Sequence, residues 1–309
     1  MSNKWYKQLE TNFPALDLPK LKISEDTFSS NYQEDFSVDD ALVDLTNLAT
    51  INNQSRIQAS LLKISRAPKE YSIKLYTLKD AIPLAQSMPI LESMGLNVLI
   101  GRPYRIRLNK RLYWIHHFTL GNSENICDID VEKIPLYFSE LFRSIWNQIS
   151  ENDAFNNLLF NACIKARNIQ ILRAYAAYLQ QVQFPHSRDY IIETLNTYPD
   201  ITLKLVKCFL HKFDPKKTIR DSYLKFMEEI NQNLLSIESL DHDLIFRRLL
   251  NLVDATVRTN YFQNDQQDIG YLSFKLDSTQ IDNLPRPRPR FEIFVYSTRF
   301  EGIHLRGGM

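Results

Sequence analysis

The stretch FEIFVYSTRFEGIHLRGGM, residues 291–309, decides how the rest of the sequence is interpreted. Its first part alternates as a half-buried strand does. The two sides of that strand are Phe291, Ile293 and Val295, and Glu292, Phe294 and Tyr296. Glu301-Gly302 then predicts a turn, followed by a short apolar run and the pair Gly307-Gly308. Because glycine serves where backbone bends or closely approaches another group, we expect a strand pair and a loop that is cut off by the end of the chain.

The distribution of glycine argues against a dinucleotide-binding site. The chain has seven glycines, and before Gly302 no two of them are closer together than Gly95 and Gly101. A dinucleotide fingerprint needs three glycines within about six positions. Gly302 and Gly307 have the spacing of a phosphate loop, but Gly308 replaces its lysine, so we attribute that spacing to chance. We therefore predict no catalytic, cofactor-binding or metal-binding residues in this chain.

The composition is that of a folded protein without a strong charge preference. The 309 residues are 44% hydrophobic and 12% aromatic, and 37 Lys+Arg against 36 Asp+Glu leave a net charge of +1. This balance argues against a general nucleic-acid-binding or membrane-surface protein, and no apolar run approaches the roughly 20 residues of a membrane helix. Cys127, Cys163 and Cys208 are odd in number and far apart, so we expect free buried thiols in a reducing cytoplasm.

Residues 1–55 are predicted to form an N-terminal arm and a helix. The arm, up to about Ser37, is expected to be loose, with a short helix near residues 5–9. Ser37 then fits the N-cap of a helix that has Asp39 and Asp40 in its first turn. The apolar face of this helix is Ala41, Leu42, Leu45 and Leu48.

Residues 56–125 read as strand, helix, strand and hairpin strand, which is the order of half a ferredoxin-like domain. The predicted strands are 72–78, 98–108 and 111–120, with 57–64 as a further edge strand. Asn109-Lys110 predicts a two-residue hairpin turn. Between the first two central strands, a helix of about residues 86–94 is expected to end at Gly95 as a left-handed cap. Pro89 is placed in the first turn of that helix, since a proline further inside costs about 3 kcal/mol.

Residues 126–265 are predicted to form an α-helical bundle of six or seven helices. The breaks between helices are expected before Pro185, Pro199 and Pro215. Three predicted apolar faces are Ile169, Leu172, Ala176, Leu179 and Val182; Ile201, Leu205, Cys208 and Phe209; and Leu244, Ile245, Leu249, Leu252, Val253 and Val257. A polar linker at 264–268 and a strand at 272–276 lead into a β-rich C-terminal segment, 266–309, so the fold class is α+β.

Several of these segments resemble the large bacterial NAD-specific glutamate dehydrogenases. At the C-terminus they are LPRPRP (284–289), FEIFVYS (291–297) and EGIHLRGG (301–308), which are similar to the entry into the catalytic domain of that family. Further upstream they are YQEDFS (32–37), MGL (94–96), RPYR (102–105), WIH (114–116), AY and YL (within 174–179), and RTNYF (258–262). The resemblance thus extends from about residue 32 to the C-terminus.

The resemblance implies a division into four parts and an activity for the longer protein. After the arm and helix of residues 1–55, it implies an ACT-like regulatory domain over 56–125, a helical domain over 126–265, and the truncated start of the catalytic domain over 266–309. The family oxidises L-glutamate to 2-oxoglutarate and ammonium by hydride transfer to NAD. Its glutamate-binding lysines and nucleotide-binding domain would follow residue 309, so we expect the chain to be inactive by itself and to contain no cofactor.

The same resemblance bears on ligands and partners. ACT domains generally bind amino acids at paired interfaces, through a glycine-bearing turn at the start of the helix. Residues 77–85 contain no glycine, so we favour a packing or assembly role for this unit over a ligand-binding one. The expected partners are the remainder of a glutamate dehydrogenase chain and further copies in a homo-oligomer. The alternative is a stand-alone amino-acid-sensing or protein-interaction module without enzymatic activity.

Three groups of residues admit a functional interpretation, and for each we favour a structural one. His116 and His117 are adjacent in a strand and therefore point to opposite faces, so they cannot chelate one metal. Asp241-His242-Asp243 could suggest a metal site, but it precedes an amphipathic helix, where acidic residues cap N–H groups. The remaining group is Arg286, Arg288 and Arg290 between prolines. It could bind phosphate, RNA or, as an extended ligand, an aromatic groove, but it is better explained as a stiff connector into a strand.

Overall fold

The computed structural model describes residues 2–12, 23–52, 56–63, 71–121, 127, 131–216, 220–263, 270–286 and 288–306. The chain forms two compact units, one of Met1–Ile126 and Glu132–Trp146 and the other of Cys127–Val131 and Asn147–Met309. Each unit contains a four-stranded antiparallel sheet. Within the described parts of the chain, no helix is both long enough and apolar enough to cross a bilayer. The fold is therefore mixed, with helices and antiparallel sheets in both units, while the four-part division stays a prediction.

The sheet of the first unit confirms the strand predictions. Its strands are β1 (Ile57–Lys63), β2 (Tyr71–Leu78), β3 (Val98–Leu108) and β4 (Arg111–Leu120), in the spatial order β1-β2-β4-β3. Asn109 and Lys110 join β3 to β4 with φ of 51° and 61°, the left-handed pair that a tight hairpin requires. Along the second half of β3, Tyr104, Ile106 and Leu108 are buried and the residues between them are exposed.

The N-terminal segment packs against one face of this sheet. It forms α1 (Ser2–Asn12), α2 (Ser30–Asp35) and α3 (Val38–Ala49). Ser37 and Asp40 make the reciprocal bonds of a capping box at the start of α3, which confirms the predicted cap. The expectation of a loose arm is wrong for residues 23–37, because Phe28 and Tyr32 are buried in the same core as Ile106. The helix in this segment, α2, has only six residues, which is too short for a sustained periodic signal.

The opposite face of the sheet carries α4 (Leu84–Ser93) and α5 (Ile134–Trp146), which contact each other and the sheet. Gly95 follows α4 with φ of 75°, as predicted. The placement of Pro89 in the first turn is wrong, because α4 begins one residue after Pro83 and Pro89 lies inside it. The carbonyl that loses its helical partner belongs to Ala85. Since Ala85 is exposed, water can satisfy that carbonyl.

The second unit is built around one buried helix. Its helices are α6 (Leu158–Asn161), α7 (Ala166–Gln181), α8 (Arg188–Thr197), α9 (Pro199–Phe213), α10 (Arg220–Leu234) and α11 (Leu240–Ala255). Helices α7, α8 and α9 end at or before the predicted proline breaks. Residues on all sides of α7 are buried, from Ile171 to Leu179 without interruption, and a helix that is buried all round lies at the centre of a core.

A sheet of four strands packs against α7. The strands are β5 (Thr256–Thr259), β6 (Leu272–Asp277), β7 (Phe291–Tyr296) and β8 (Glu301–Arg306), paired in chain order. The Tyr175 ring stacks on Phe274 of β6 with centroids 4.4 Å apart, and the Tyr178 ring meets Phe294 of β7 at 5.5 Å. The helices and strands of this unit therefore share one core.

Two predictions at the edges of these elements are wrong. The predicted apolar face of the last helix includes Val257, but α11 ends at Ala255. Val257 lies in β5, where 47% of its surface is exposed. The turn placed at Glu301-Gly302 lies earlier, where the Ser297 N–H donates to the Phe300 carbonyl at 2.8 Å. Gly302 instead pairs with a β7 residue inside β8. The pair 307–308 and the linker 264–268 lie outside the described residues.

The cysteines also differ from the prediction of three free thiols. Cys127 and Cys163 form a disulfide, with their Cα atoms 6.1 Å apart, inside the usual range for such a bond. They are 36 residues apart in sequence, and the fold brings them together where the Cys127 N–H donates to the Phe160 carbonyl. Cys208 is free and buried, and burial raises the pKa of its thiol to about 12.

Candidate functional site

A cavity of about 440 Å³ opens beside the loop that joins β2 to α4 in the first unit. It is lined by exposed charged side chains and by apolar side chains. The charged ones are Arg56, Lys79 and Asp80, and the apolar ones are Ile57, Ile82 and Trp146. Both charge signs therefore stand at one small opening, which suits a molecule that carries both an anionic and a cationic group.

The loop at this cavity is held in a fixed shape by hydrogen bonds to its own sheet. Lys79 has a left-handed backbone with φ of 75°, which costs a non-glycine residue about 1–2 kcal/mol. Its N–H donates to the Leu112 carbonyl at 2.8 Å, and its carbonyl accepts from Trp114 Nε1 at 3.2 Å. The Thr77 hydroxyl donates to the Asp80 carbonyl at 2.8 Å. The loop thus contains a left-handed residue of the kind that glycine usually provides, although it has no glycine. The absence of glycine was the argument against a ligand-binding role, and the turn forms without it.

The two adjacent histidines lie on opposite faces of the sheet and belong to its packing. Nε2 of His116 accepts from the Ile82 N–H at 3.0 Å, which fixes the end of the cavity loop. Burial lowers the pKa of His116, so this nitrogen stays available as an acceptor. Burial, reinforced by the charge of Lys74, lowers the pKa of His117 to about 4. Among the described residues, no group of three or more His, Cys, Asp or Glu side chains is placed to hold a metal ion.

The first unit contains a buried polar cluster that sequence reasoning missed. Asp44 of α3 accepts hydrogen bonds from the Tyr32 and Tyr76 hydroxyls at 2.5 and 2.9 Å, and it also pairs with Lys74. The bond to Asp44 and burial together raise the pKa of Tyr32 and of Tyr76, burial being the larger cause. In the sequence, Asp44 interrupts the apolar face of its helix and Lys74 stands in the middle of an apolar strand, which was the available signal.

A second buried cluster joins three elements of the second unit. Arg173 of α7 is fully buried and bonds Asp153 through Nε and Nη2, at distances down to 2.7 Å. Arg188 of α8 pairs with both Glu151 and Asp153. Burial alone would raise the pKa of Asp153, but the two arginines outweigh it and the pKa is lowered. Tyr296 of β7 donates to Glu151 at 2.7 Å. These charges neutralise one another, which is the expected state of buried ionic groups.

Two groups of residues for which we predicted a structural role, 241–243 and the arginine–proline segment 286–290, lie in the second unit. Helix α11 is capped by Ser239, whose Oγ accepts from the His242 N–H at 3.3 Å, and not by the acidic residues that follow. A serine accepts this bond as well as an aspartate does. In the arginine–proline segment, Arg288 Nε donates to the Leu284 carbonyl at 2.9 Å. The Arg290 guanidinium lies 5.4 Å from the Phe291 ring centroid. The connector role of this segment stays a prediction.

Three family descriptions match successive segments of the chain. Glutamate dehydrogenase, ACT3 domain, matches residues 56–134; glutamate dehydrogenase, helical motif 3, matches 150–215; and bacterial NAD-glutamate dehydrogenase, catalytic domain, matches 229–309. The NAD-specific glutamate dehydrogenases of Halomonas elongata and Pseudomonas aeruginosa are each 38% identical to this chain, over 287 and 290 residues. The chain belongs to the bacterial NAD-specific glutamate dehydrogenase family. The matches cover 92% and 91% of this chain but only 18% of each relative.

The matched segments can be compared with the helices and strands of the structure. The ACT3 match contains the whole sheet of the first unit and the loop at the cavity. The helical motif 3 match contains α7, α8 and α9. The match to the catalytic domain of bacterial NAD-glutamate dehydrogenases begins at residue 229, inside α10. The resemblance implies a boundary at residue 266, and that boundary stays a prediction. The relative from Mycobacterium tuberculosis, also named NAD-specific glutamate dehydrogenase, is 38% identical over 237 residues, which is 73% of this chain and 14% of the relative.

Proposed function

We propose that this chain provides a regulatory and structural portion of an NAD-specific glutamate dehydrogenase, which oxidises L-glutamate to 2-oxoglutarate and ammonium. The observation that supports this most is the order of the three matches, from ACT3 domain through helical motif to catalytic domain, along one chain. The names of the relatives support glutamate as substrate and NAD as cofactor of the longer protein. A stand-alone sensing module is not favoured, because the similarity continues into the catalytic-domain match.

The proposal assigns NAD binding and hydride transfer to other parts of the longer chain. A dinucleotide fold holds the pyrophosphate at a glycine-rich turn within a parallel β-α-β unit. Neighbouring strands in the two described sheets are all antiparallel, so these sheets do not contain the parallel unit in which such a fold holds NAD. The portion therefore contributes to assembly and regulation rather than to the chemical step. A cytoplasmic location and a homo-oligomer belong to the same proposal and rest on the resemblance.

The finer proposal for the first unit is an ACT-type domain with a rearranged ferredoxin-like sheet. Strands β2, β3 and β4 with α4 reproduce the first strand, helix, strand and hairpin strand of the ferredoxin-like order. Helix α5 then takes the place of the second helix, beside α4. The edge next to β2 is filled by β1, which comes before β2 in sequence instead of following the second helix. This arrangement leaves the loop between β2 and α4 at the open cavity.

A chimera tests the proposed function. The segment of the Halomonas elongata relative that matches this chain is replaced by the chain itself, and glutamate-dependent NADH formation is measured. We expect the chimera to retain activity and the isolated chain to have none. A matched chimera carrying Arg173→Met, which breaks the buried cluster of the second unit, is expected to lose stability and activity together. Glutamate-dependent NADH formation by the isolated chain, or a stably folded but inactive chimera, would contradict the proposal.

A further inference from the structure

A second cavity, of about 280 Å³, lies within the second unit. It is bounded by the end of α7 and the turn that follows, by α11, and by residues 281–284. Its wall is largely apolar and includes Leu179, Val182, Phe184, Leu244, Ile281 and Leu284. Its volume is just below the range of about 300–1,000 Å³ that is usual for small-molecule sites. None of the functional assignments above uses this cavity.

Arg248 of α11 lines this cavity and is only 8% exposed. Its Nη1 donates to the backbone carbonyl of Asp282. Its guanidinium carbon lies 5.8 Å from the centroid of the Phe184 ring. In the part of the chain that the structure describes, no carboxylate pairs with this guanidinium within 4.0 Å. Burial lowers the pKa of Arg248, although the charge of Asp282 acts in the opposite direction.

Three other arginines on helices of the same unit have carboxylate partners, whereas Arg248 has none within 4.0 Å among the residues that the structure describes. Arg173 and Arg188 share the carboxylates of Glu151 and Asp153. Arg247, the sequence neighbour of Arg248, pairs with Asp243 at 2.7 Å on the exposed side of α11. A buried charge is stable only when it is paired or hydrogen-bonded. Arg248 instead donates to one neutral backbone carbonyl beside the cavity, and the exposed carboxylate of Asp282 acts on it only from beyond ion-pair distance.

Asp282 is the acidic residue among those that line the cavity, and its charge acts on Arg248 without forming an ion pair within 4.0 Å. Glu292 of β7 is buried, and its Oε2 accepts from the Tyr178 hydroxyl at 2.6 Å. Tyr178 lines the cavity and Glu292 does not, so this carboxylate is bonded to a residue of the wall. Asp282 stands at the rim and is exposed, and its carbonyl accepts the bond from Arg248. The cavity thus has a cation on its wall, an apolar interior and a polar rim.

We propose that this cavity binds a small organic carboxylate with an apolar body. The carboxylate pairs with the guanidinium of Arg248, which presents a donor geometry matched to two carboxylate oxygens. The apolar body lies against Leu179, Leu244 and Ile281, where it is removed from water. Branched aliphatic and aromatic acids are the chemical class that this combination selects. The site is separate from the cavity in the first unit and does not depend on the proposed enzyme function.

Calorimetric titration of the 309-residue chain tests the proposal with four probes. Two are acids, 4-methylpentanoate and phenylacetate, and two are the corresponding neutral amides. Because a guanidinium–carboxylate pair needs the anion, we expect the acids to bind and the amides to bind at least about tenfold more weakly. Equal binding of acid and amide, or no binding of either acid at 10 mM, would overturn the proposal.

Three substitutions separate the roles of charge and space. Arg248→Met is expected to weaken acid binding at least about tenfold, since it removes the cation and keeps the side-chain length. Arg247→Met, its matched control on the exposed side of the helix, is expected to change binding less than about twofold. Leu244→Trp fills the cavity from a partly exposed position and is expected to abolish binding without removing the charge. Circular dichroism verifies that each variant is folded, and unchanged binding by folded Leu244→Trp would contradict the location.

Discussion

Nζ of Lys74 lies 2.8 Å from Oδ2 of Asp44, and both side chains are buried, with 1% and 0% of their surface exposed. The ammonium group also lies 3.8 Å from the centroid of the Phe36 ring. Since Asp44 is in α3 and Lys74 is in β2, this ion pair joins the N-terminal helices to the sheet of the first unit. A buried ion pair of this kind is costly to break and inexpensive to replace with apolar residues.

Lys74→Met is therefore expected to destabilise the first unit strongly. The substitution leaves Asp44 buried without its counter-ion, which costs about 3–5 kcal/mol. The double variant Asp44→Leu with Lys74→Met is expected to recover much of that loss, because no uncompensated charge remains. Urea unfolding followed by circular dichroism gives the free energies for the cycle. If the double variant were as unstable as the sum of the two single ones, the ion pair would not be the source of the coupling.

Tyr178→Phe is expected to destabilise the second unit by about 1–3 kcal/mol. The change removes the hydroxyl that bonds Glu292, and a buried acceptor left without its donor carries its desolvation cost. Tyr271→Phe is the matched control, since Tyr271 is 48% exposed and is expected to tolerate the change within about 0.5 kcal/mol. The measurement is again urea unfolding, and equal effects of the two substitutions would show that the bond to Glu292 contributes little.

The first unit is expected to lose stability as the pH falls from about 6.5 to about 4. The pKa of His117 is lowered to about 4 in the folded chain, whereas it is about 6.5 in an unfolded one. Between these values the unfolded state binds more protons, so stability rises with pH and is lost on acidification. The loss attributable to His117 is at most about 3 kcal/mol, and solvent screening reduces it further.

The substitution His117→Gln tests this pH dependence. It is expected to flatten the slope of unfolding free energy between about pH 6.5 and 4, because glutamine does not titrate. His304→Gln, at an exposed position of β8, is the control and is expected to leave the slope unchanged. Urea midpoints measured at several pH values give both slopes. If the full slope persists in His117→Gln, then other groups cause the pH dependence. One of them is His116, whose pKa is also lowered.

Thiol counting tests the disulfide between Cys127 and Cys163. In denaturant without reductant, we expect one reactive thiol per chain, that of Cys208, and three after reduction. A bond that closes a loop of 36 residues is expected to stabilise the fold by about 2–4 kcal/mol. Reduction is therefore expected to lower the Tm of the chain but not that of a Cys127→Ser, Cys163→Ser variant. Three reactive thiols without reductant would contradict the disulfide and support the prediction of three free thiols.

Local signals made the elements of the fold predictable. The alternation along β3, the hairpin at Asn109-Lys110, the cap at Ser37 and the proline breaks each depend on residues a few positions apart. The placement of Pro89 failed because the start at Pro83 was not recognised. Such signals reach only a few residues and say nothing about distant contacts.

The pairing of the buried charges was not predictable from sequence, because each pair joins residues far apart along the chain. Asp44 and Lys74 are 30 residues apart, and Tyr178 and Glu292 are 114 apart. Helical spacing does place Arg248 on the predicted apolar face, four residues from both Leu244 and Leu252. Only the structure shows that its guanidinium is buried against a cavity, whereas Arg247 is exposed and paired. Pattern analysis assigns charged residues to solvent by default, and only the tertiary structure shows which of them are enclosed.

The stacking of Tyr175 on Phe274 has a consequence for how such genes diverge. The two rings lie in stretches that match different family descriptions, helical motif 3 and the catalytic domain. A genetic crossover between residues 215 and 229 would give progeny in which one parent's helix meets the other parent's strands. In such progeny the aromatic ring of the helix and the ring of the strand would come from different parents, so the two rings would not have been selected to pack together. We expect the two stretches to be inherited as one block, with compensating changes at both rings.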